Sequence, residues 1–158
     1  MRTVLKNCTL LDGTKDMLIQ NDMDIAFENG KITEIGKVNA KKGDVCYDLN
    51  GKYVMPGLIN LHVHLPAGGK PKNKPLKAEK LAKFALSNEL IKSVVLEMCH
   101  AYAMQDLLPG VTTVRAVGGL GDLDTRLRDK IEEGMNGPRI LAANYAICVP
   151  NGHMAGSV

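Results

Sequence analysis

The chain has 158 residues, of which 45% are hydrophobic and 23% are charged, and its formal net charge is +3. This length is enough for one ordinary domain with a sizeable core, and the composition is not that of a disordered chain. Two phenylalanines, four tyrosines and no tryptophan provide few aromatic faces on which bases could stack. Because the net charge is also small, we expect no nucleic-acid partner.

The N-terminal segment does not resemble a targeting or membrane segment. Arg2 and Lys6 interrupt it, and nowhere does the sequence contain an uncharged apolar stretch long enough to span a bilayer. We therefore expect a cytoplasmic protein with no membrane partner. The cysteines form no Cys-x-x-Cys pair, which favours buried, reduced thiols. They are Cys8, Cys46, Cys99 and Cys148.

The first 55 residues predict a small antiparallel β unit of short strands and tight turns. Asn29-Gly30 is the clearest signal, because both central positions of a type I′ hairpin turn need a positive φ. A second Asn-Gly pair, at Asn50-Gly51, is expected to close the last of these strands. The expected strands are residues 3–11, 24–28, 31–38 and 45–49.

From residue 58 onward the pattern changes to alternating strands and helices. Residues 58–65 are almost continuously apolar, as in a strand buried on both faces of a parallel sheet. Residues 76–108 are rich in helix formers, and Ser87-Asn88 is placed to cap a second helix among them. The stripe expected to be buried on that helix consists of Ile91, Val94, Val95, Met98, Ala101 and Tyr102.

Two further strands and a helix follow. Residues 111–117 and 139–149 predict strands, and residues 123–133 predict a helix capped by Asp122. The order strand, helix, strand, helix, strand indicates parallel βαβ units, so the expected fold class is α/β with a small antiparallel β portion. The strand ends near residues 64, 117 and 149 should then lie on one rim.

Residues 56–64 read Pro-Gly-Leu-Ile-Asn-Leu-His-Val-His and contain the clearest functional signal. Side chains alternate along a strand, so His62 and His64 should project to the same side, where two imidazoles can bind one divalent metal ion. The alternative is a pair of hydrogen-bonded core histidines. A catalytic zinc site has three protein ligands and a water, so this pair alone would be incomplete.

Two residues at other strand ends are candidates for binding substrate. His153 follows the third parallel strand and could contact substrate or carry a proton, or it could be a loop residue without a role. Arg115 ends the second parallel strand and could bind a carboxylate bidentately, or it could tie two loops together. By contrast, His100 lies within a helix, where we expect a structural role, and the Gly-Gly-Leu-Gly run at residues 118–121 lacks dinucleotide-binding spacing.

These motifs together resemble the amidohydrolase superfamily of metal-dependent hydrolases. Residues 56–64 are similar to its Pro-Gly-Leu-Ile-Asp-x-His-x-His signature, and residues 110–119 are similar to its Gly-Val-Thr-Thr-Val-Arg-Asp-x-Gly-Gly segment. The Asn-Gly-His near the end is similar to the Gly-Gly-His of the imidazolonepropionase and prolidase-like branch. Residues 24–32 resemble part of the small β-sandwich of the family.

The resemblance implies one or two divalent ions, of the zinc type, with His62 and His64 as ligands at the end of the first strand of a (β/α)₈ barrel. Such a site activates water to hydrolyse a carbon–nitrogen bond in a small-molecule substrate: an amide, a cyclic amide or a dipeptide-like compound. Residues 1–55 would form the N-terminal part of the small β-sandwich domain. Residues 56–158 would form the first three β/α units of an incomplete barrel, and association into a homo-oligomer is left open.

Three departures from the family pattern bear on activity. Asn60 and Ala116 stand where the family has Asp, and a complete barrel needs roughly 250 residues. The further metal ligands of the family come from later strands, so the catalytic residues are not among those of this chain, which is expected to be truncated and inactive alone. The alternative, favoured by Asn60 and Ala116, is a non-catalytic partial-barrel protein that binds a partner or assembles with a complementary chain.

Overall fold

The computed structural model of the chain describes residues 1–69, 78–147, 149 and 152. The chain forms two compact units, Met1–Pro56 and Gly57–Val158. Among the described residues, the first unit is a five-stranded sheet, and the second is a three-stranded parallel sheet with helices. None of the described helices combines the length and the apolar content that a bilayer span requires.

The first unit is built on a central strand, β1 (Thr3–Leu10), with a hairpin on one side. The hairpin consists of β2 (Gln20–Glu28) and β3 (Lys31–Gly36), which pair antiparallel. Asn29 and Gly30 between them have φ values of +50° and +73°, as a type I′ turn requires. The hairpin predicted from the sequence is therefore confirmed.

The other side of β1 shows that a purely antiparallel unit was the wrong expectation. β4 (Val45–Asp48) and β5 (Tyr53–Val54) both run parallel to β1. After β3 the chain crosses over instead of turning back, and Val38 of this crossover is buried in a cluster with Val4 and Ala26. A parallel pair needs such a crossover connection, and burial of an apolar residue stabilises it here.

The Asn50-Gly51 turn forms, but it does not reverse the chain. Both residues have positive φ, and the N–H of Lys52 donates to the carbonyl of Leu49 at 3.0 Å. Gly51 also donates its N–H to the carbonyl of Asn7 at 2.7 Å, so β5 resumes along β1 in the same direction as β4. A turn is a local feature, whereas the direction of the next strand depends on distant pairing.

The second unit alternates strands and helices in the predicted order. Its elements are β6 (Leu58–Val63), α1 (Ala78–Ala85), α2 (Glu89–Leu107), β7 (Val111–Ala116), α3 (Leu123–Glu132) and β8 (Arg139–Leu141). The sheet order is β6-β7-β8 and both pairs are parallel, which confirms the βαβ arrangement. The C-terminal ends of parallel strands lie at one edge of the sheet, which is where α/β proteins bind ligands.

The core of this unit lies between the sheet and the helices α2 and α3. It includes Val114 and Ile140 from the strands and Leu96, Cys99 and Leu123 from the helices. The buried face of α2 differs from the predicted stripe, whose member Val94 is 66% exposed. Apolar residues occur on most sides of this helix, so their spacing alone does not identify the face that packs.

Two strands of the unit also differ from expectation. β8 ends at Leu141, not at residue 149, so the third strand end lies earlier than predicted. β6 is not buried on both faces: it pairs only with β7 among the described strands, and Ile59 and Leu61 are 62% and 60% exposed. A continuous apolar run is fully buried only where other elements cover both faces.

The two predicted helix caps have different outcomes. Asn88 begins α2, and its Oδ1 accepts the N–H of Ile91 at 3.0 Å, which confirms the cap. Asp122 occupies the N-cap position of α3, but its carboxylate accepts from Nε of Arg126 at 2.7 Å and makes no capping bond. The prediction for Asp122 is therefore right in position and wrong in mechanism.

Candidate metal centre

The end of β6 is shaped by a β-bulge. Asn60 and Val63 pair with β7 residues that are only two positions apart, so one extra residue lies in β6 between them. At this bulge the backbone N–H of His62 donates to Oδ1 of Asn60 at 3.2 Å. Asn60 therefore orients the strand end with an amide oxygen, without needing a carboxylate.

His62, within the bulge, and His64, just after it, lie side by side. Their ring centroids are 5.3 Å apart, and the ring planes meet at 79°. His62 is exposed and His64 is half-buried. The spacing seen in the sequence thus brings the two imidazoles together, and their binding of a metal stays a prediction.

One ring nitrogen of His64 forms a hydrogen bond with the backbone. Its Nδ1 lies 2.7 Å from the carbonyl oxygen of Gly118, in the loop after β7. A carbonyl only accepts hydrogen bonds, so in the neutral imidazole Nδ1 carries the proton and Nε2 keeps its lone pair. Histidines that bind metals are commonly oriented in this way, by a backbone carbonyl on the other ring nitrogen.

A fully buried carboxyl belongs to the same part of the structure. Asp124, in the first turn of α3, is 0% exposed. Its Oδ2 accepts the N–H of Asn144 at 3.2 Å, and its Oδ1 has no hydrogen-bond partner among the described residues. Burial raises the pKa of Asp124, although the hydrogen bond from Asn144, and the charge of His64 when its imidazole is protonated, act in the opposite direction. The carboxyl and the imidazole therefore interact electrostatically.

A cavity of about 240 Å³ adjoins His64. Its polar lining comes from α2, through Tyr102, Gln105 and Asp106. The loop after β6 closes one side of the cavity at Gly68, where a Cβ would lie 2.7 Å from the ring of Tyr102. The site therefore has room beside one histidine for a small group and has hydrogen-bonding side chains around that room.

Of the two residues predicted to bind substrate, the structure describes one, Arg115. Arg115 is exposed, whereas its neighbours in β7, Val114 and Ala116, are buried. Its side chain therefore projects from the face of the sheet opposite to the side chains of these two neighbours. Its guanidinium forms no hydrogen bond or ion pair with any other described residue. His153 lies outside the described residues. The Nε2 of His100 lies 2.7 Å from the carbonyl of Asn136, which is the kind of structural contact expected of it.

The donor set fits a metal ion only in part. Within the part of the chain that the structure describes, no group of three His, Cys, Asp or Glu side chains could hold a metal ion. His62 and His64 provide neutral imidazoles, which suit zinc, and a tetrahedral zinc site has four ligands. The pair therefore fits as half of such a site.

Sequence reasoning did not find the carbonyl of Gly118, the carboxyl of Asp124 or the contacts of Asn144. A backbone carbonyl has no sequence signature, and an acidic residue in a first helical turn is ordinary. The adjacent glycines were the available signal of close packing, because a Cβ at Gly119 would lie 2.5 Å from Oδ1 of Asp124.

Comparison with known sequences places the chain in a family. A sequence model of the amidohydrolase family matches residues 53–155. This match covers well over half of the chain and includes both strand-end histidines and the loop after β7. The chain therefore belongs to the amidohydrolase family.

Relatives of this chain include enzymes with several names. An imidazolonepropionase of Fusobacterium nucleatum is 30% identical, and the match covers 78% of this chain and 35% of that protein. A dihydroorotase of Trichlorobacter lovleyi is 39% identical over 66 residues, which cover 41% of this chain and 15% of that protein. The crystal structure of a Xaa-Pro dipeptidase with bound methionine matches with a TM-score of 0.74 and 28% identity, over 93% of this chain and 34% of the dipeptidase. The chain thus spans about a third, or less, of the length of these relatives.

Proposed function

We propose that this chain is the N-terminal portion of a metal-dependent amidohydrolase that hydrolyses a carbon–nitrogen bond in an amide, a cyclic amide or a dipeptide-like substrate. Residues 1–55 are proposed as part of a small β-sandwich domain, and residues 56–158 as the first three β/α units of a (β/α)₈ barrel. The family match and the names of the relatives support the reaction class. The parallel order β6-β7-β8 supports the partial barrel.

The observation that carries this proposal is the arrangement of the histidine pair. The rings of His62 and His64 are adjacent, and the carbonyl of Gly118 holds Nδ1 of His64, which leaves Nε2 to bind an ion. A divalent metal ion in such a site supplies a water nucleophile that is activated at neutral pH. The two histidines would bind this ion, and Asn60 would keep the backbone of His62 in place.

Substrate binding is proposed for Arg115 and His153, as the sequence suggested. An exposed guanidinium near the C-terminal end of β7 could bind a carboxylate bidentately. A histidine after the third strand could hold a carbonyl or carry a proton. A substrate with a carboxylate next to an amide would suit this pair.

Zinc titration by calorimetry tests the metal assignment. We expect weak binding by this chain, because two imidazoles leave the ion largely hydrated, and no measurable binding by the His62→Ala/His64→Ala variant. For the same reason the chain alone should be catalytically silent. His100→Ala, which removes a histidine with a structural contact, is the matched control and should bind zinc as the unmodified chain does. Identical heats for the unmodified chain and the double variant would show that the pair is not the metal site.

A second candidate function is assembly with a complementary chain without catalysis. The exposed apolar side chains of β6, Ile59 and Leu61, favour it, because a strand of this composition is normally covered. Absence of zinc binding together with stable association would support this candidate over the first.

A further inference from the structure

The carbonyl that orients His64 belongs to a turn whose conformation is determined by other residues. Gly118 has a φ of +139°, and a Cβ there would lie 2.9 Å from the Cβ of Ala146. The next peptide N–H, that of Gly119, donates to the carbonyl oxygen of Asn144 at 2.8 Å. The direction of the Gly118 carbonyl therefore depends on where Asn144 is held.

Asn144 is held by the first turn of α3. Its backbone N–H donates to Oδ2 of Asp124 at 3.2 Å, and its side-chain oxygen accepts from the N–H and the hydroxyl of Thr125 at 3.0 and 2.8 Å. Its φ of +62° lies in the left-handed region, which asparagine tolerates better than most residues. Three hydrogen bonds thus fix a residue that lies outside regular secondary structure.

Asp124 also meets the turn directly. A Cβ at Gly119 would lie 2.5 Å from Oδ1 of Asp124, the oxygen without a hydrogen-bond partner among the described residues. A buried carboxyl with an unpartnered oxygen is unfavourable, and a helix can begin without one. The unfavourable burial of this carboxyl would be explained if the carboxyl holds the Gly118-Gly119 turn, which lies against it, in place.

We propose that Asp124 and Asn144 are positioning residues for His64. They hold the Gly118-Gly119 turn so that the carbonyl of Gly118 accepts the Nδ1 proton, which leaves Nε2 available for a metal ion. This inference rests on the proposed metal role of His64, but the positioning itself is a property of the metal-free chain. It extends the candidate site from β6 to the start of α3 and to the segment after β8.

The tautomer of His64 in the metal-free chain tests this proposal. Long-range ¹H–¹⁵N NMR at about pH 8, where imidazole is neutral, distinguishes a proton on Nδ1 from a proton on Nε2. We expect Nδ1–H in the unmodified chain. We expect a mixture of the two tautomers in Asp124→Ala, with zinc affinity weakened by about tenfold or more.

Two variants make this test specific. Asp124→Asn keeps an oxygen for the N–H of Asn144 and should retain the tautomer of the unmodified chain. Asp129→Ala makes the same change as Asp124→Ala at a half-exposed position of the same helix, and it should change neither the tautomer nor the zinc affinity.

If Asp124→Ala does not fold, Asn144→Gly decides the question. Glycine keeps the left-handed φ and the backbone N–H but removes the side chain that binds Thr125, so we again expect mixed tautomers. An Nε2–H tautomer in the unmodified chain would overturn the proposal, and so would a folded Asp124→Ala or Asn144→Gly variant with Nδ1–H alone. A shifted tautomer with unchanged zinc affinity would uphold the positioning and contradict the metal role of His64.

Discussion

Asp24 ties three segments of the first unit together through one carboxylate. Its Oδ2 lies 2.8 Å from Nζ of Lys6, and its two oxygens accept the backbone N–H groups of Asn7 and Val38 at 2.9 and 3.0 Å. The residue is only 2% exposed. Burial alone would raise the pKa of this carboxyl, but these hydrogen bonds outweigh burial and lower it to about 2.

The low pKa of Asp24 makes the stability of the first unit depend on pH in the acid range. Because folding lowers the pKa of Asp24, the carboxylate stabilises the first unit above its ordinary pKa of 3.8, and this stabilisation is lost as the pH falls toward 2. We expect Asp24→Asn to lower the free energy of unfolding by about 2 kcal/mol near neutral pH and to weaken its dependence on pH in the acid range. Urea unfolding followed by the NMR signals of β1 and β2 measures both effects. Asp16→Asn, at an exposed position of the same unit, is the control, and equal stability of the two variants would contradict the prediction.

At the scale of single residues, contacts between neighbours in the sequence could be predicted, whereas contacts with residues distant in the sequence could not. His62 and His64 were found because alternation along a strand places them together. The environment of Asp24 was not found, because Lys6 and the N–H of Val38 come from other segments of the chain. The carbonyl of Gly118, 54 positions from His64, was missed for the same reason.

Among the elements, α2 owes its defined start to Asn88. Its Oδ1 accepts the N–H of Ile91 at 3.0 Å, which satisfies one of the free donors in the first turn. We expect Asn88→Ala to reduce the free energy of unfolding of the second unit by about 1 kcal/mol, because alanine cannot accept this bond. Denaturant unfolding followed by the NMR signals of α2 measures the loss. Ser87→Ala, one position earlier, is the matched control, and a loss of the same size there would show that the cap is unimportant.

The elements of this chain were predictable to different degrees for physical reasons. The Asn29-Gly30 hairpin and the cap at Asn88 were found because each depends on a few adjacent residues. The predicted antiparallel direction of β4 was wrong, because the direction depends on pairing with β1, some 42 positions earlier in the sequence. The bulge between Asn60 and Val63 was also not foreseen, since it arises from the register between β6 and β7.

For the molecule as a whole, the most consequential feature is the apolar outer strand of the second sheet. Ile59 and Leu61 of β6 are more than half exposed, and β6 has one strand neighbour among the described strands. Such a strand presents both apolar side chains and unpaired backbone groups to other molecules.

We therefore expect concentration-dependent self-association of this chain, and we expect the variant Ile59→Lys/Leu61→Lys to be more monomeric. Static light scattering after gel filtration measures the mass of both proteins across a range of concentrations. Leu90→Lys, at a position on α2 that is 77% exposed, is the matched control and should not change association. A monomeric unmodified chain at every concentration, or an equal effect of the control, would rule out this role for β6.

Among the described residues, Cys8 is buried in the core of the first unit and Cys99 in the core of the second. Burial raises the pKa of both, that of Cys99 to about 12 with a further contribution from Asp124. Only a thiolate attacks an alkylating reagent. We therefore expect each buried thiol to be alkylated only after the unit around it opens. We therefore expect the alkylation rates of Cys8 and Cys99 to report the opening of the first and of the second unit separately. Cys46, which is exposed, should be alkylated before either buried thiol and provides the internal reference for both rates.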